Sequence, residues 1–233
     1  MLNATPIKPL VNTPDAVNFF QSMSIKTGRK VAFGDPSKLP NRASIFINRA
    51  DEAIEYGIKK VSALHNDETR TEVSRHGFAK RVAEDVVKAL NESKAGLDKL
   101  ASELHAEGVK LIDEGFALNE KRHPIHADIR GFIRDLAKKE NGIVEIRKLV
   151  ERDFEVATVF HDTPHYLLGL AEGTHESIDG DSIKRHLPNA AACIIQSAEV
   201  EKAAARYPKV INGVQSSFYN PAMADKAAQR VEA

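Results

Sequence analysis

Tryptophan is absent from this chain and cysteine nearly so, with Cys193 alone among 233 residues. A single thiol excludes a disulfide within the chain and any Cys-rich zinc framework. Aromatic residues make up only 6%, so a core has to be assembled mainly from aliphatic side chains. Long apolar runs are missing too. The longest, at 190–195, is six residues, far short of the roughly 20 that cross a bilayer as a helix, and no membrane partner is expected. The start of the chain has prolines at 6, 9 and 14 and no apolar stretch of the kind a secretory signal needs. Neither charge sign is in excess, because 33 Lys and Arg face 33 Asp and Glu. Without a basic surplus, nucleic acid is not expected as the main partner. These absences fit a protein of cytoplasmic origin in a reducing compartment.

What is present is helical patterning. Residues 41–123 contain no proline, and Ile47, Ala50, Ile54, Ile58, Val61 and His65 recur at steps of three and four, the mark of one buried helix face. A second apolar series runs through Phe78, Val82, Val86 and Leu90 to Leu97, Leu100, Leu104, Leu111 and Leu118. Its last part is close to a 3.5-residue repeat with charged residues between, as in a coiled-coil seam. Gly96, Gly108 and Gly115 each lower helix propensity there by about 1 kcal/mol relative to Ala. The expected arrangement is a long antiparallel, coiled-coil-like helical pair, bent near 65–72.

The flanking regions differ in character. Residues 1–40 hold five of the ten prolines and read as an extended arm. They include one short helix, with Thr13 as N-cap and Pro14 at its first position. Phe19, Phe20 and Phe33 would let this arm lie along a neighbouring subunit. Residues 124–233 read as a small bundle of shorter helices. Ile125, Ile129, Phe132 and Leu136 form a stripe after Pro124, and Asn141-Gly142 marks a break. Helix starts are expected at Pro164 and Pro188, the latter helix burying Ala191, Cys193, Ile195 and Ala198. Residues 209–214 are the one stretch with a strand-like pattern. The fold class is all-α, in three parts: 1–40, 41–123 and 124–233.

Catalytic motifs are scarce. No Gly-Lys dipeptide exists for a phosphate loop, and there is no Gly-x-Ser-x-Gly elbow, Cys-x-x-Cys or His-Glu-x-x-His. Asp179-Gly180-Asp181 lacks the glycine and glutamate of a calcium loop and reads as a turn. Six of the nine histidines, however, fall between 123 and 186: His123, His126, His161, His165, His175 and His186. Imidazole with carboxylate is the common first shell of hydrolytic metal sites. The segment VATVFHDTPH at 156–165 resembles the His-Asp element of the HD-domain phosphohydrolases, which are also all-helical. That resemblance implies a metal held by His161 and Asp162, with His126 or His123 upstream and Asp181 downstream. The competing reading is local: Asp162 or Thr163 caps a helix opened by Pro164.

A second resemblance covers the whole chain. The order of a proline-containing arm, a charged helical pair and a small helical C-terminal part is similar to accessory proteins encoded among the head and tail genes of tailed bacteriophages. The residues that carry it are HNDETRTEVSRHGFAKRVAE at 65–84 and HYLLGLAEGTHESI at 165–178. It implies a non-enzymatic assembly protein without cofactor, a head, neck or tail component whose partners are itself or larger particle proteins. Phe19, Phe20, Phe33, Leu97, Leu100, Leu104 and Leu111 are the expected contact residues. An HD-like metallophosphohydrolase and a coiled-coil adaptor or chaperone-like protein are the alternatives.

Overall fold

The computed structural model describes residues 7–229. Among these no strand occurs, and the chain is all-helical. The helices are α1 (Pro14–Ser24), α2 (Lys26–Phe33), α3 (Asn41–His65), α4 (Glu72–Gly115), α5 (His123–Ala137), α6 (Gly142–Arg152), α7 (Phe154–Asp162), α8 (His165–Leu168), α9 (Glu172–His186), α10 (Pro188–Ala204), α11 (Tyr207–Ser217) and α12 (Pro221–Ala228). The expected strand-like stretch at 209–214 lies inside α11, and Asp179-Gly180-Asp181 is not a turn but part of α9. Contacts gather the chain into two compact units. One comprises the residues up to Ala101 together with those from Ala198 onward; the other is Ser102–Ser197. The divisions therefore fall within α4 and α10 rather than at 40 and 123.

In the first unit, the start and the end of the chain share one core. Helix α1 begins as its sequence requires: the Thr13 hydroxyl accepts from the Ala16 amide and Pro14 opens the helix. A second helix, α2, follows at once, so residues 14–33 are not an extended arm. Prolines that suggest extended chain instead punctuate helices, since Pro36 opens a short 3₁₀ turn and Pro40 precedes α3. Phe20 and Phe33 are fully buried. The Phe20 ring meets Phe218 edge-on at 5.4 Å, and Phe33 tilts against Tyr207 at 5.2 Å. Arg29, itself buried, fastens the same segment to α3. Its Nε donates to Asp51 at 2.7 Å and its Nη2 to Glu55 at 2.9 Å, while Nη1 donates to the carbonyls of Met23 and Ser24.

The face of α3 is the expected one, with Ile47, Ala50, Ile54, Ile58 and Val61 all buried. Helix α4 packs against several others. Within the first unit it meets α3 where Phe46 lies against Gly96, where Arg49 pairs with Glu92 and where Val86 reaches Gly57. A Cβ added to Gly57 would stand 2.7 Å from Val86 Cγ2 and 2.8 Å from Phe218 Cε2, so only glycine admits both buried side chains. Leu97, Leu100 and Leu104 are buried within the chain itself, while Leu111 is half-buried. The seam thus has its cover without a second molecule.

The second unit is centred on Phe116, Ile133, Ile146, Val150, Phe160 and Ile178. Helix α5 turns a different face inward from the one its stripe suggests. His126, Ile133 and Leu136 are buried, whereas Ile125 and Phe132 are exposed, Phe132 by 54%. A similar rotation applies to α10, where Ala190, Ala191, Ser197 and Val200 are buried, Cys193 is half-exposed, Ile195 is 49% exposed and Ala198 faces out. Burial and the nearby Glu107 push the Cys193 thiol up, away from the reactive thiolate.

Since Phe20 fills the first unit's core, Phe20→Ala is expected to cost about 3–5 kcal/mol, the usual range for emptying a buried aromatic site. Urea denaturation followed by circular dichroism measures this. A change below about 1 kcal/mol would place the segment outside the core.

Candidate functional site

The neighbouring phenylalanine marks the first candidate site. Successive residues on a helix point about 100° apart, so burial of Phe20 leaves Phe19 at the edge of the core, half-buried. There it lies on α11 at Gly213, where any Cβ would collide with its ring. Phe19 lines a groove of about 870 Å³ between α1–α2 and α11, with Met23, Val31, Ala32 and Val210 supplying apolar wall. Val31 is 70% exposed. The charged rim consists of Asp15 on one side and Arg206 and Lys209 on the other. Arg206 Nη1 donates to the Val31 carbonyl at 3.0 Å and holds the start of α11 to α2. Of the seven contact residues expected from sequence, Phe19 lines this groove and Leu111 a smaller pocket of about 370 Å³ beside Leu187 and Pro188. The other five are interior. Sequence reading missed Val31, Arg206 and Lys209, which no periodicity singles out.

The histidines form the second candidate. Among the described residues, no three His, Cys, Asp or Glu side chains converge as a metal site. His161 does find a carboxylate, but it is Asp179 from α9, with both oxygens 3.0 Å from Nδ1. Asp162, its neighbour in sequence, is exposed. Asp181 pairs with Arg147 and, at 3.5 Å, with Lys184, and the buried His126 has Glu155 at 3.5 Å. The four residues of the HD-like set are therefore spread over separate contacts. Thr163 is not a cap for the next helix either: its hydroxyl donates backward to the Val159 carbonyl at 2.6 Å, closing α7.

Two further imidazoles, His175 and His186, serve helix packing. His175 Nε2 lies 3.1 Å from the Phe160 carbonyl, and His186 Nε2 lies 2.8 Å from that of Val150. A carbonyl only accepts, so each of these nitrogens carries the proton. The His175 ring also stacks on Phe160 at 4.5 Å. Helix α9 buries little besides Ile178 and Ser182, and these bonds, with Arg147 reaching Ser177 and Asp181, hold it to α6 and α7.

Comparison with protein-family models, with curated proteins and with solved structures finds no match.

Two histidines are driven in opposite directions. The hydrogen bond that His161 donates to Asp179 raises the pKa of His161, helped by the charges of Asp179, Asp113 and Asp162 and opposed by burial. Burial lowers that of His76, whose Nδ1 accepts from the Asn220 amide at 3.0 Å. The His161–Asp179 pair thus contributes stability fully below the ordinary pKa of about 6.5, and loses it as pH rises through the raised value. His76 contributes above 6.5, and its share is lost as pH falls through the lowered value. Titration of the imidazole protons by NMR should place His161 above and His76 below 6.5. Two unshifted titrations would contradict both assignments.

Proposed function

We propose that this chain is a non-enzymatic helical assembly subunit that joins copies of itself, in the setting of a tailed-phage virion as a head, neck or tail component. The observation that carries this reading is the groove at Phe19. An apolar concavity with a strongly exposed valine and a polar rim is the kind of surface that takes a partner helix. The sequence stretches at 65–84 and 165–178 support the viral setting, through their similarity to accessory particle proteins. His161, His175 and His186 support a structural role, because their nitrogens bond helix to helix. In this reading α3 and the first part of α4 form an antiparallel pair, since contacts to α4 descend from 96 through 92 to 86 as α3 advances through 46, 49 and 57. That pair presents a rigid scaffold beside the groove.

Light scattering coupled to size-exclusion chromatography tests the reading. The wild-type chain is expected to exceed the mass of one copy, 25.6 kDa, in a concentration-dependent manner. Val31→Glu should weaken this association about tenfold or more, as a charge placed in an apolar contact does, without loss of helix. A chain that stays at one copy across the whole concentration range would overturn self-assembly.

A further inference from the structure

The exposed face of α5 has the features that the groove of a second molecule would require. At 100° per residue, Pro124, Ile125, Asp128, Gly131, Phe132 and Asp135 fall within about 120° of one another around the helix. Ile125 and Phe132 stand out of the second unit's core, 42% and 54% exposed. They lie seven residues apart, two turns along one side of the helix. A Cβ added to Gly131 would meet nothing within 4 Å, so nothing in the unit's own packing calls for glycine there, and an opposing wall can approach the backbone closely. The charges on this strip are both acidic. Asp135 shares its charge with Lys138 at 2.9 Å on the surface. The groove opposes this with apolar Phe19, Val31 and Val210 and with basic Arg206 and Lys209 on the α11 rim, Asp15 lying on the other side. Among the described residues, neither Asp128 nor Lys209 has a hydrogen-bond or ion-pair partner for its side chain.

We propose that the groove of one copy receives the Ile125–Phe132 face of α5 from a second copy, with Lys209 and Arg206 of the groove paired with Asp128 and Asp135 of the incoming helix. The contact rests on the self-assembly reading above and gives it a geometry. It is heterologous, because groove and helix are different surfaces, so it closes into a ring where its rotation allows and otherwise runs on as an open chain. Apolar anchors supply the affinity. The charges set the register and suppress wrong pairings, and their share weakens with added salt.

Charge reversal separates this geometry from others. Lys209→Glu and Asp128→Lys are made in separate full-length chains, both checked for wild-type helix content, and sedimentation velocity is run on each alone and on an equimolar mixture. Each variant alone is expected to associate at least tenfold more weakly than wild type, since it sets like charges against each other. The mixture should recover wild-type association, because each reversed surface then meets its complement. If wild type assembles and neither variant changes that, the α5–groove contact is wrong while self-assembly stands. Weakened variants that do not recover on mixing also overturn it. A wild-type chain that never exceeds one copy removes both.

Discussion

Burial of two phenylalanines from the beginning of the chain against aromatic rings near its end is the constraint on which the first unit depends. Phe20 on Phe218 and Phe33 on Tyr207 close a core whose floor is the aliphatic face of α3. With 6% aromatic residues in all, placing four of them at one closure is a large share of what the chain has, and each buried ring is worth about 1.5–3 kcal/mol in transfer terms. Arg29 then ties the same segment to α3 through two carboxylates and two carbonyls. Losing that guanidinium would leave charges and carbonyls without their partner, a more costly outcome than never having built the network. The groove follows from this closure. Once Phe20 is fixed inward, Phe19 and Val31 are fixed at the edge, and α11 is held close enough to form the opposite wall.

The second unit is stabilised differently. Its centre is an apolar cluster drawn mainly from α5, α6 and α7 and closed by Phe116, whereas α9 contributes little to it besides Ile178. That helix is fastened by hydrogen bonds from His161, His175, His186 and Arg147. Bonds of this kind contribute about 0.5–1.5 kcal/mol each, more when charged. They give three of the histidines concentrated in this region a place in its packing.

Local signals were legible in the amino-acid sequence. The Thr13-Pro14 helix start, the break at Asn141-Gly142 and the start at Pro188 all appear as read, because capping and proline chemistry act within a few residues. The buried face of α3 was legible as well, but that of α5 was not. In α5 the stripes 125, 129, 132, 136 and 126, 129, 133, 136 share two members, and Ile133 against Phe132 is a choice only neighbouring helices make. The His161 partner was missed for a related reason. Adjacent residues on a helix diverge by about 100°, so Asp162 cannot share the direction of His161, and the carboxylate comes from another helix 18 residues on. The proline-dense opening read as extended chain because its composition resembles a linker. Its prolines at 14 and 36 occupy first helical positions, where the missing amide is no loss, and its phenylalanines find their partners about 200 residues later.

Native-state hydrogen exchange tests the closure of the first unit most directly. Amides of α1 around Phe20, of α3 around Ile54 and of α11 around Val214 should open together in one slow, cooperative class, with the same dependence on denaturant. If α1 and α2 instead exchange as a separate fast class while α3 stays protected, the opening segment is peripheral to the core and the groove has no fixed wall.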